Sequence, residues 1–382
     1  MKIAFLTPEY PHEFVDNSSG GIGTSIYNLV DGLIKLDQEI SILVYNQSKD
    51  EIIQAKGYSI YKIKNKKLKG LSWWLTRKKI EKLINKLHAE NKVVILEAPD
   101  WTGITSFMNL NCPLIIKLHG SDTYFCRLEN RKSKWWNRFH EKKALQSADG
   151  YISVSQFTAD KTNEIFGLNI KFEIISNGIN VGNFNPLPKS KTIPKTILYL
   201  GTLIRKKGVL EIPHIFNKVI EKEPNAKLIL VGKDSYDIKT GSISTWHLMQ
   251  PLFTEKAFKN VSYKGNVAYN KVKTYLEQVE VCIFPSYAEA LPVSWLEAMA
   301  MGKVIVASNI GWAKEIIENE VDGYLENPKN HYKIARLISD VLVNKMKHKQ
   351  ISKNASLKAS EKFSNNVIAK TYLELVKSQI IR

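Results

Sequence analysis

Cysteine and long apolar runs are scarce in this sequence. The three cysteines, Cys112, Cys126 and Cys282, are odd in number, widely separated and free of any CxxC pair. This spacing argues against a disulfide framework or a cysteine metal site and favours a reducing compartment. The N-terminal apolar run is shorter than the core of a signal peptide, and no stretch approaches the roughly 20 apolar residues of a spanning helix. We therefore expect a cytoplasmic globular protein.

The charge is strongly unbalanced, with 55 Lys and Arg against 37 Asp and Glu, for a net charge of +18. Such a surplus favours phosphates, nucleic acid or anionic lipid as partners. Most of it lies in residues 56–92 and 127–143, which also contain the pairs Trp73-Trp74 and Trp135-Trp136. Basic residues beside tryptophan suit the inner face of an anionic membrane. A solvated basic face with the tryptophans in the core is an equally open interpretation.

Short apolar runs alternate with amphipathic stretches along the whole chain, as in α/β proteins with doubly wound, Rossmann-like parallel sheets. The predicted strands are 3–7, 40–45, 93–97, 114–119, 150–154, 172–176, 197–200, 227–231, 281–285, 304–307 and 323–326. Between the halves, residues 181–195 are rich in proline and have little periodicity, which predicts a linker between domains 1–180 and 196–364. Ligands of such sheets bind at the carboxyl ends of the strands.

Two features at predicted strand ends stand out in the first half. Gly20, Gly21 and Gly23 open a helix with apolar positions at Ile26 and every third or fourth residue after it, so backbone N–H groups there could face an anion. The preceding loop is too long for a dinucleotide-binding GxGxxG turn. His119 ends a strand and could donate a hydrogen bond to a ligand. A plain surface loop and a structural histidine are the alternatives.

The second half contains a basic loop and a pair of glutamates. Arg205, Lys206 and Lys207 lie between a strand and Gly208, which suits phosphate, although a solvated basic loop is as consistent with this segment alone. Glu289 and Glu297 are separated by seven residues, with Pro292 fitting the first turn of a helix between them. The two carboxylates could serve different parts of one extended ligand, with the helix N-terminus facing a phosphate.

These segments together resemble the retaining family-4 (group 1) glycosyltransferases, whose GT-B fold has two Rossmann-like domains facing across a cleft. The resemblance covers nearly the whole chain. It rests on the Glu-x7-Glu motif, the glycine loop, His119-Gly120, Asn177-Gly178-Ile179, Lys207-Gly208 and the segments 302–308 and 322–325. It implies that a C-terminal helix, 365–382, packs back on the acceptor-binding first domain, and that the second domain binds a nucleotide-sugar.

The resemblance also implies roles for single residues. Glu289 would hold hydroxyls of the donor sugar, and Glu297 those of the ribose. Lys207, helped by Arg205, would neutralise the leaving diphosphate, and His119 would contact the donor sugar. The donor-binding set would be completed by Gly20, Gly21, Gly23, Leu291, Val293, Gly232 and Val267.

Two departures from the family pattern bear on these roles. Thr202 stands where the family commonly has Arg, so Arg205 is the substitute. Ala290-Leu291-Pro292 replaces the usual Gly-Phe-Gly, and Pro292 has no N–H to offer the donor. The sequence contains no Asp-x-Asp, the metal-binding motif of many glycosyltransferases of the other major fold. We therefore expect no metal and no cofactor, only a nucleotide-sugar donor and a glycan or lipid-linked acceptor.

Three other functions compete with sugar transfer. A nucleotide-sugar epimerase of the same fold would release an epimer without an acceptor. A nucleic-acid-binding protein would explain the charge, but no recognisable binding module is present, and we expect no nucleic-acid partner. A non-catalytic relative would lack part of the motif set, which is intact here.

Overall fold

A computed structural model describes residues 1–16, 20–185 and 192–380, and the chain divides into two compact units. The first comprises Met1–Asn180 and the segment that begins at Ser364, and the second is Val181–Phe363. Three predictions extend outside the described residues: 186–191 of the linker, 17–19 of the loop before Gly20, and 381–382 of the last helix. No helix among the described residues is long and apolar enough to cross a membrane.

The described part of the first unit is built on an eight-stranded sheet. Its strands are β1 (Lys2–Thr7), β2 (Glu39–Gln47), β3 (Glu51–Ala55), β4 (Tyr58–Lys64), β5 (Ile95–Pro99), β6 (Leu114–Leu118), β7 (Gly150–Ser153) and β8 (Glu173–Ile174). Their order is β3-β4-β2-β1-β5-β6-β7-β8. The prediction of a parallel sheet is confirmed for seven of these strands, and it is wrong for the edge strand β3, which runs antiparallel to β4. The two-residue turn between β3 and β4 uses Gly57 at φ +90°, as tight hairpins require.

Strand β4 lies inside the basic stretch 56–92 and was not predicted. The lysines of this segment suggested an exposed stretch, but Lys62 is buried within the strand. The Lys62 ammonium lies 3.1 Å from Asp16 Oδ1 and donates to the carbonyl of Phe14 at 2.7 Å. Lys62 therefore does not contribute to a basic surface, and the charge of this stretch is carried by its other cations.

Helices cover both faces of the first sheet. They are α1 (Gly21–Ile34), α2 (Ser72–Ala89), α3 (Asp122–Leu128), α4 (Trp135–Gln146), α5 (Gln156–Phe166) and the C-terminal helix α14 (Asn365–Ile380). The predicted apolar face of α1, which includes Ile26 and Leu33, is buried in the core. Helix α14 packs on α1 so closely that a Cβ at Gly32 would lie 2.4 Å from the carbonyl oxygen of Asn365. The last helix of the chain thus completes the first core.

The described part of the second unit contains a six-stranded, fully parallel sheet of order β11-β10-β9-β12-β13-β14. Its elements are β9 (Thr196–Leu200), α6 (Glu211–Lys222), β10 (Lys227–Val231), α7 (Thr245–Met249), α8 (Glu255–Phe258), β11 (Val261–Tyr263), α9 (Tyr269–Glu277), β12 (Val281–Phe284), α10 (Val293–Ala300), β13 (Val304–Ser308), α11 (Ala313–Ile316), β14 (Tyr324–Glu326), α12 (His331–Val343) and α13 (Lys345–Lys362). Only the short edge strand β11 was not predicted. The chain order reverses between β9 and β12, and ligands of open α/β sheets bind at such a switch point.

Candidate functional site

The loops after β9 and β12 interlock at the switch point of the second sheet. Gly208 adopts φ +65°, and a Cβ there would lie 1.8 Å from the carbonyl oxygen of Pro285. The backbone N–H groups of Tyr287 and Ala288 both donate to the carbonyl of Lys206, at 2.8 and 3.1 Å. Glycine is therefore required at position 208, and the close approach of the two backbones places the side chain of Lys207 beside the loop that leads into α10.

Lys207 and Glu289 form an ion pair in this crevice. The Lys207 ammonium lies 2.6 Å from Glu289 Oε1, and the hydroxyl of Ser286 donates to the same oxygen at 3.3 Å. The side chains are 20% and 10% exposed, so the pair is largely removed from solvent. Such a pair offers a cation to a phosphate and carboxylate oxygens to sugar hydroxyls, side by side.

Glu297 is the fifth residue of α10 and is buried. As predicted, Glu289 precedes this helix and Glu297 lies inside it; Pro292, however, caps the helix with extended ψ instead of entering its first turn. Burial raises the pKa of Glu297 to about 7, against the opposing effects of a hydrogen bond with Tyr269 and the charge of Lys207. Tyr269 opens α9 and was missed by the sequence analysis, because only the fold brings it to Glu297.

Arg205 lies in the same basic loop but is held by another partner. Its guanidinium makes two hydrogen bonds to the carboxylate of Asp237, each 2.8 Å long. This contact lowers the pKa of Asp237 to about 2. Asp237 follows β10 in a loop without a recognisable motif, so nothing in the sequence indicated this pair. The contribution of Arg205 to diphosphate binding stays a prediction, and in this structure Asp237 balances its charge.

The other predicted donor-binding residues of the second unit lie on neighbouring segments of the same sheet edge. Gly232 directly follows β10, and a Cβ there would lie 1.9 Å from the carbonyl oxygen of Gly201. Its N–H donates to the carbonyl of Gly265, in the segment that contains half-buried Val267. Leu291 and Val293 are buried at the beginning of α10. The structure thus places the predicted set after β9, β10, β11 and β12.

In the first unit, the Gly20–Gly23 segment already binds a carboxylate. Glu9, in the loop after β1, accepts a hydrogen bond from the N–H of Gly23 at 3.1 Å. Burial raises the pKa of Glu9, while hydrogen bonds from the N–H groups of Gly23, Gly20 and Ile22 act against this rise. Gly21 is exposed beside them. A diphosphate contact at this loop stays a prediction, and the sequence analysis missed Glu9 as the partner of these donors.

His119 follows β6, so it is separated from the glycine loop by β5 in the sheet. Its backbone N–H donates to Asp100 Oδ1 at 2.9 Å. Burial, together with the charge of Lys117, holds the pKa of His119 well below its usual value, so the imidazole is neutral at neutral pH. Burial also raises the pKa of Asp100 to about 7. A neutral imidazole can donate one hydrogen bond to a sugar without adding charge.

No group of three or more His, Cys, Asp or Glu side chains suited to a metal ion lies within residues 1–16, 20–185 and 192–380. The cationic group that the structure places beside Glu289 and Glu297 is the ammonium of Lys207.

Comparisons with known proteins agree with this arrangement. The profile of the group 1 glycosyl transferases matches residues 184–358, and that of glycosyltransferase family 4 matches residues 19–183. An uncharacterized glycosyltransferase of Methanocaldococcus jannaschii is 26% identical over 99% of this chain and 98% of its own. An N,N'-diacetylbacillosaminyl-diphospho-undecaprenol alpha-1,3-N-acetylgalactosaminyltransferase of Campylobacter jejuni is 36% identical over 61% of each chain.

A solved structure shows the same fold. The Anabaena protein HepE in complex with UDP-glucose superposes with a TM-score of 0.74 at 17% identity, covering 98% of this chain and 99% of its own. The GT-B prediction of two parallel-sheet α/β domains is therefore confirmed, and the family matches identify the enzyme class as glycosyltransferase. The chain belongs to the family-4, group 1 glycosyltransferases.

Proposed function

We propose that this glycosyltransferase moves a hexose-type sugar from a nucleotide diphosphate sugar to a glycan or lipid-linked acceptor, with retention of anomeric configuration and in surface polysaccharide or glycolipid synthesis. The Lys207–Glu289 pair at the switch point, with Glu297 inside the adjoining helix, is the observation that carries the proposal. In this proposal Lys207 binds the diphosphate, Glu289 binds hydroxyls of the sugar, and Glu297 binds those of the ribose.

The proposed step is a displacement on one face of the sugar. The bond from the anomeric carbon to the diphosphate oxygen breaks, the acceptor hydroxyl forms a bond on the same face, and the leaving phosphate takes the hydroxyl proton. Lys207 stabilises the charge that develops on the leaving group, and this kind of electrostatic stabilisation is a major source of catalysis. Glu289 is held by Lys207, which supports a role in orienting sugar hydroxyls. The anomeric configuration of the product, determined by NMR, tests retention.

Thermal unfolding in the presence of candidate donors tests the donor site. UDP is the first nucleotide to try, because HepE of the same fold was solved with UDP-glucose. A ligand that binds only the folded protein raises its stability by about 2.7 kcal/mol at 100 times Kd. We expect a clear rise in Tm with one of UDP, GDP or CMP or its sugar conjugates, and a smaller rise in Glu297→Ala. Absence of any shift at millimolar nucleotide would contradict the proposal.

Removal of divalent metal is expected to leave activity unchanged. Because the cation proposed to meet the diphosphate is the Lys207 ammonium, transfer in excess EDTA should proceed at the rate seen without chelator. The measurement is the initial rate of nucleotide release with EDTA, without it, and after Mn²⁺ is added back. Activity that disappears in EDTA and returns with Mn²⁺ contradicts the metal-independent mechanism.

A further inference from the structure

The two tryptophan pairs, about 60 residues apart in sequence, meet in one exposed cluster of the first unit. The ring centres of Trp73 and Trp136 are 5.3 Å apart, and those of Trp135 and Trp136 are 5.2 Å apart. Phe107 lies 6.4 Å from Trp73 and 5.9 Å from Phe139. We call these five residues, with Trp74 beside them, the aromatic patch.

The aromatic patch is exposed, and the buried side chain of His140 packs beneath it. Trp135 is 73% exposed and Phe107 is 48% exposed. Below them, the buried ring of His140 contacts Trp136 at 4.5 Å and bonds to Ser106 at 2.6 Å. Burial and the nearby Arg77 lower the pKa of His140 to about 4, so this imidazole is uncharged at neutral pH, and the Arg77 guanidinium lies 5.2 Å from the ring centre of Trp73. Contiguous exposed aromatic side chains of this kind mark interaction surfaces.

Exposed lysines precede both helices that carry the tryptophans of the patch. The exposed lysines Lys66, Lys67 and Lys69 lead into α2, which carries Trp73 and Trp74. Exposed Lys132 and Lys134 lead into α4, which carries Trp135 and Trp136. Within the described part of the chain, none of these five ammonium groups forms an ion pair with a carboxylate. Exposed lysines thus lie on both segments that lead into the helices of the patch, and we call these five lysines the lysine rim.

The patch lies at the edge of the first sheet where the carboxyl ends of its strands emerge. Helix α2 leads into β5 and helix α4 leads into β7, so each helix ends near the beginning of a strand. The N-termini of the two helices, which carry the tryptophans, therefore lie at the carboxyl ends of the strands. Phe107 follows β5 on the segment after Asp100. Asp100 and His119 end strands at this same edge. The patch and the predicted site residue His119 therefore share one edge of the unit.

We infer that the aromatic patch and its lysine rim dock the first unit on an anionic lipid bilayer, and that the acceptor is an amphiphile held in the same leaflet. Tryptophan prefers the membrane interface, and lysine is attracted to anionic headgroups. A glycan would be bound by an open, coplanar ring platform, whereas Trp73, Trp135 and Trp136 meet edge-to-face at 80° and 87°. The assignment of the acceptor rests on the proposed function, whereas the docking does not.

Sedimentation with vesicles tests the docking in the absence of any substrate. The full chain is mixed with phosphatidylcholine vesicles with and without about a third of phosphatidylglycerol, in low and in physiological salt. We expect binding to anionic vesicles only. The triple change Lys66→Ala, Lys67→Ala, Lys69→Ala should weaken binding on the order of 100-fold, since each lysine near the surface contributes about fivefold. Trp135→Ala with Phe107→Ala should weaken it at least about 10-fold.

Matched variants in the second unit control for loss of charge and of apolar surface. They are Lys349→Ala with Lys353→Ala and Lys362→Ala, and Ile243→Ala with Met346→Ala, whose side chains are 84% and 77% exposed. Both should bind vesicles like the unchanged protein. Unchanged Tm and unchanged nucleotide shift in the patch variants show that folding and the donor site are intact. The inference is overturned if the protein binds neutral and anionic vesicles equally, or if the patch variants bind vesicles normally. It is also overturned if the patch binds a soluble polysaccharide and does not bind vesicles.

The acceptor is tested separately with the nucleotide-sugar that shifts Tm. In the patch variants, transfer to lipid extracts in anionic vesicles should fall in parallel with vesicle binding. Slow hydrolysis of the donor by water should stay unchanged, because it needs no acceptor. Vesicle binding without any nucleotide shift would leave docking standing and would contradict the proposed function. Transfer that is insensitive to the patch would contradict the amphiphilic acceptor.

Discussion

Replacement of Lys207 by alanine is expected to lower kcat about 10²–10³-fold, which is the loss seen when one group that stabilises developing negative charge is removed from an active site. In this structure the Lys207 ammonium is 2.6 Å from Glu289 and also acts on Glu297. Its removal takes away the cation that meets the leaving diphosphate in the proposed mechanism. It also takes the ammonium away from the Glu289 carboxylate, whose side chain is 10% exposed. The donor would then approach uncompensated negative charge.

Steady-state kinetics separates these two effects. Loss of transition-state stabilisation lowers kcat, whereas repulsion of the donor by Glu289 raises KM. The double change Lys207→Ala with Glu289→Gln removes the repulsion, so it should recover donor affinity but not kcat. Lys256→Ala, at an exposed position of α8 in the same unit, controls for the loss of one positive charge. A kcat within about threefold of the unchanged enzyme would show that Lys207 does not stabilise the leaving group.

Much of the second unit could be predicted because its local patterns agree with its tertiary structure. Its core strands are buried apolar runs, and the chain between Glu289 and Glu297 contains a proline that caps the N-terminus of a helix. Helical spacing then fixes which carboxylate lies before the helix and which lies within it. The motif alone therefore predicts where the fold places Glu289 and Glu297 relative to this helix.

The features that the sequence did not reveal depend on contacts between distant residues. Asp237 binds Arg205 from 32 positions away, and its loop has no pattern of its own. The convergence of Trp73 with Trp136 depends on two helices starting at one edge of a sheet. Strand β4 was not predicted because lysine is normally found on the surface, whereas Lys62 is buried and paired with Asp16. Each of these outcomes is set by the fold.

Nucleotide affinity is expected to depend on pH through Glu297. Burial raises the pKa of this carboxyl to about 7, so the free enzyme holds it largely protonated below neutral pH. Two ribose hydroxyls that donate to a carboxylate favour its ionised form, and binding must then release the proton. Affinity should be highest above pH 7 and fall about tenfold per pH unit well below it. Between pH 8 and pH 5.5 the expected loss is about 30-fold.

Calorimetric titration of the nucleotide identified by thermal shift, at several values between pH 5.5 and 8.5, measures this dependence. The nucleotide phosphates also ionise in this range, and Glu297→Gln is the control because it keeps their titration and loses that of the carboxyl. The variant should bind about 10-fold more weakly at pH 8, since hydrogen bonds to a charged acceptor are replaced by bonds to a neutral one. Its affinity should also vary less with pH. Equal pH slopes in the two proteins would show that Glu297 does not hold the ribose.

The stability of the free enzyme should change with pH in the opposite direction, which distinguishes ionisation of Glu297 from a general loss of structure in acid. A carboxyl whose pKa is raised by folding stabilises the folded state below its unfolded pKa, near 4.5, and this contribution is lost as pH rises through about 7. Comparison of Tm for the unchanged protein and Glu297→Gln therefore should show the variant gaining relative stability between pH 5 and 8. In the same interval, the unchanged protein gains nucleotide affinity. A single ionisation then accounts for both trends, because the charge that binding needs is the charge that burial disfavours.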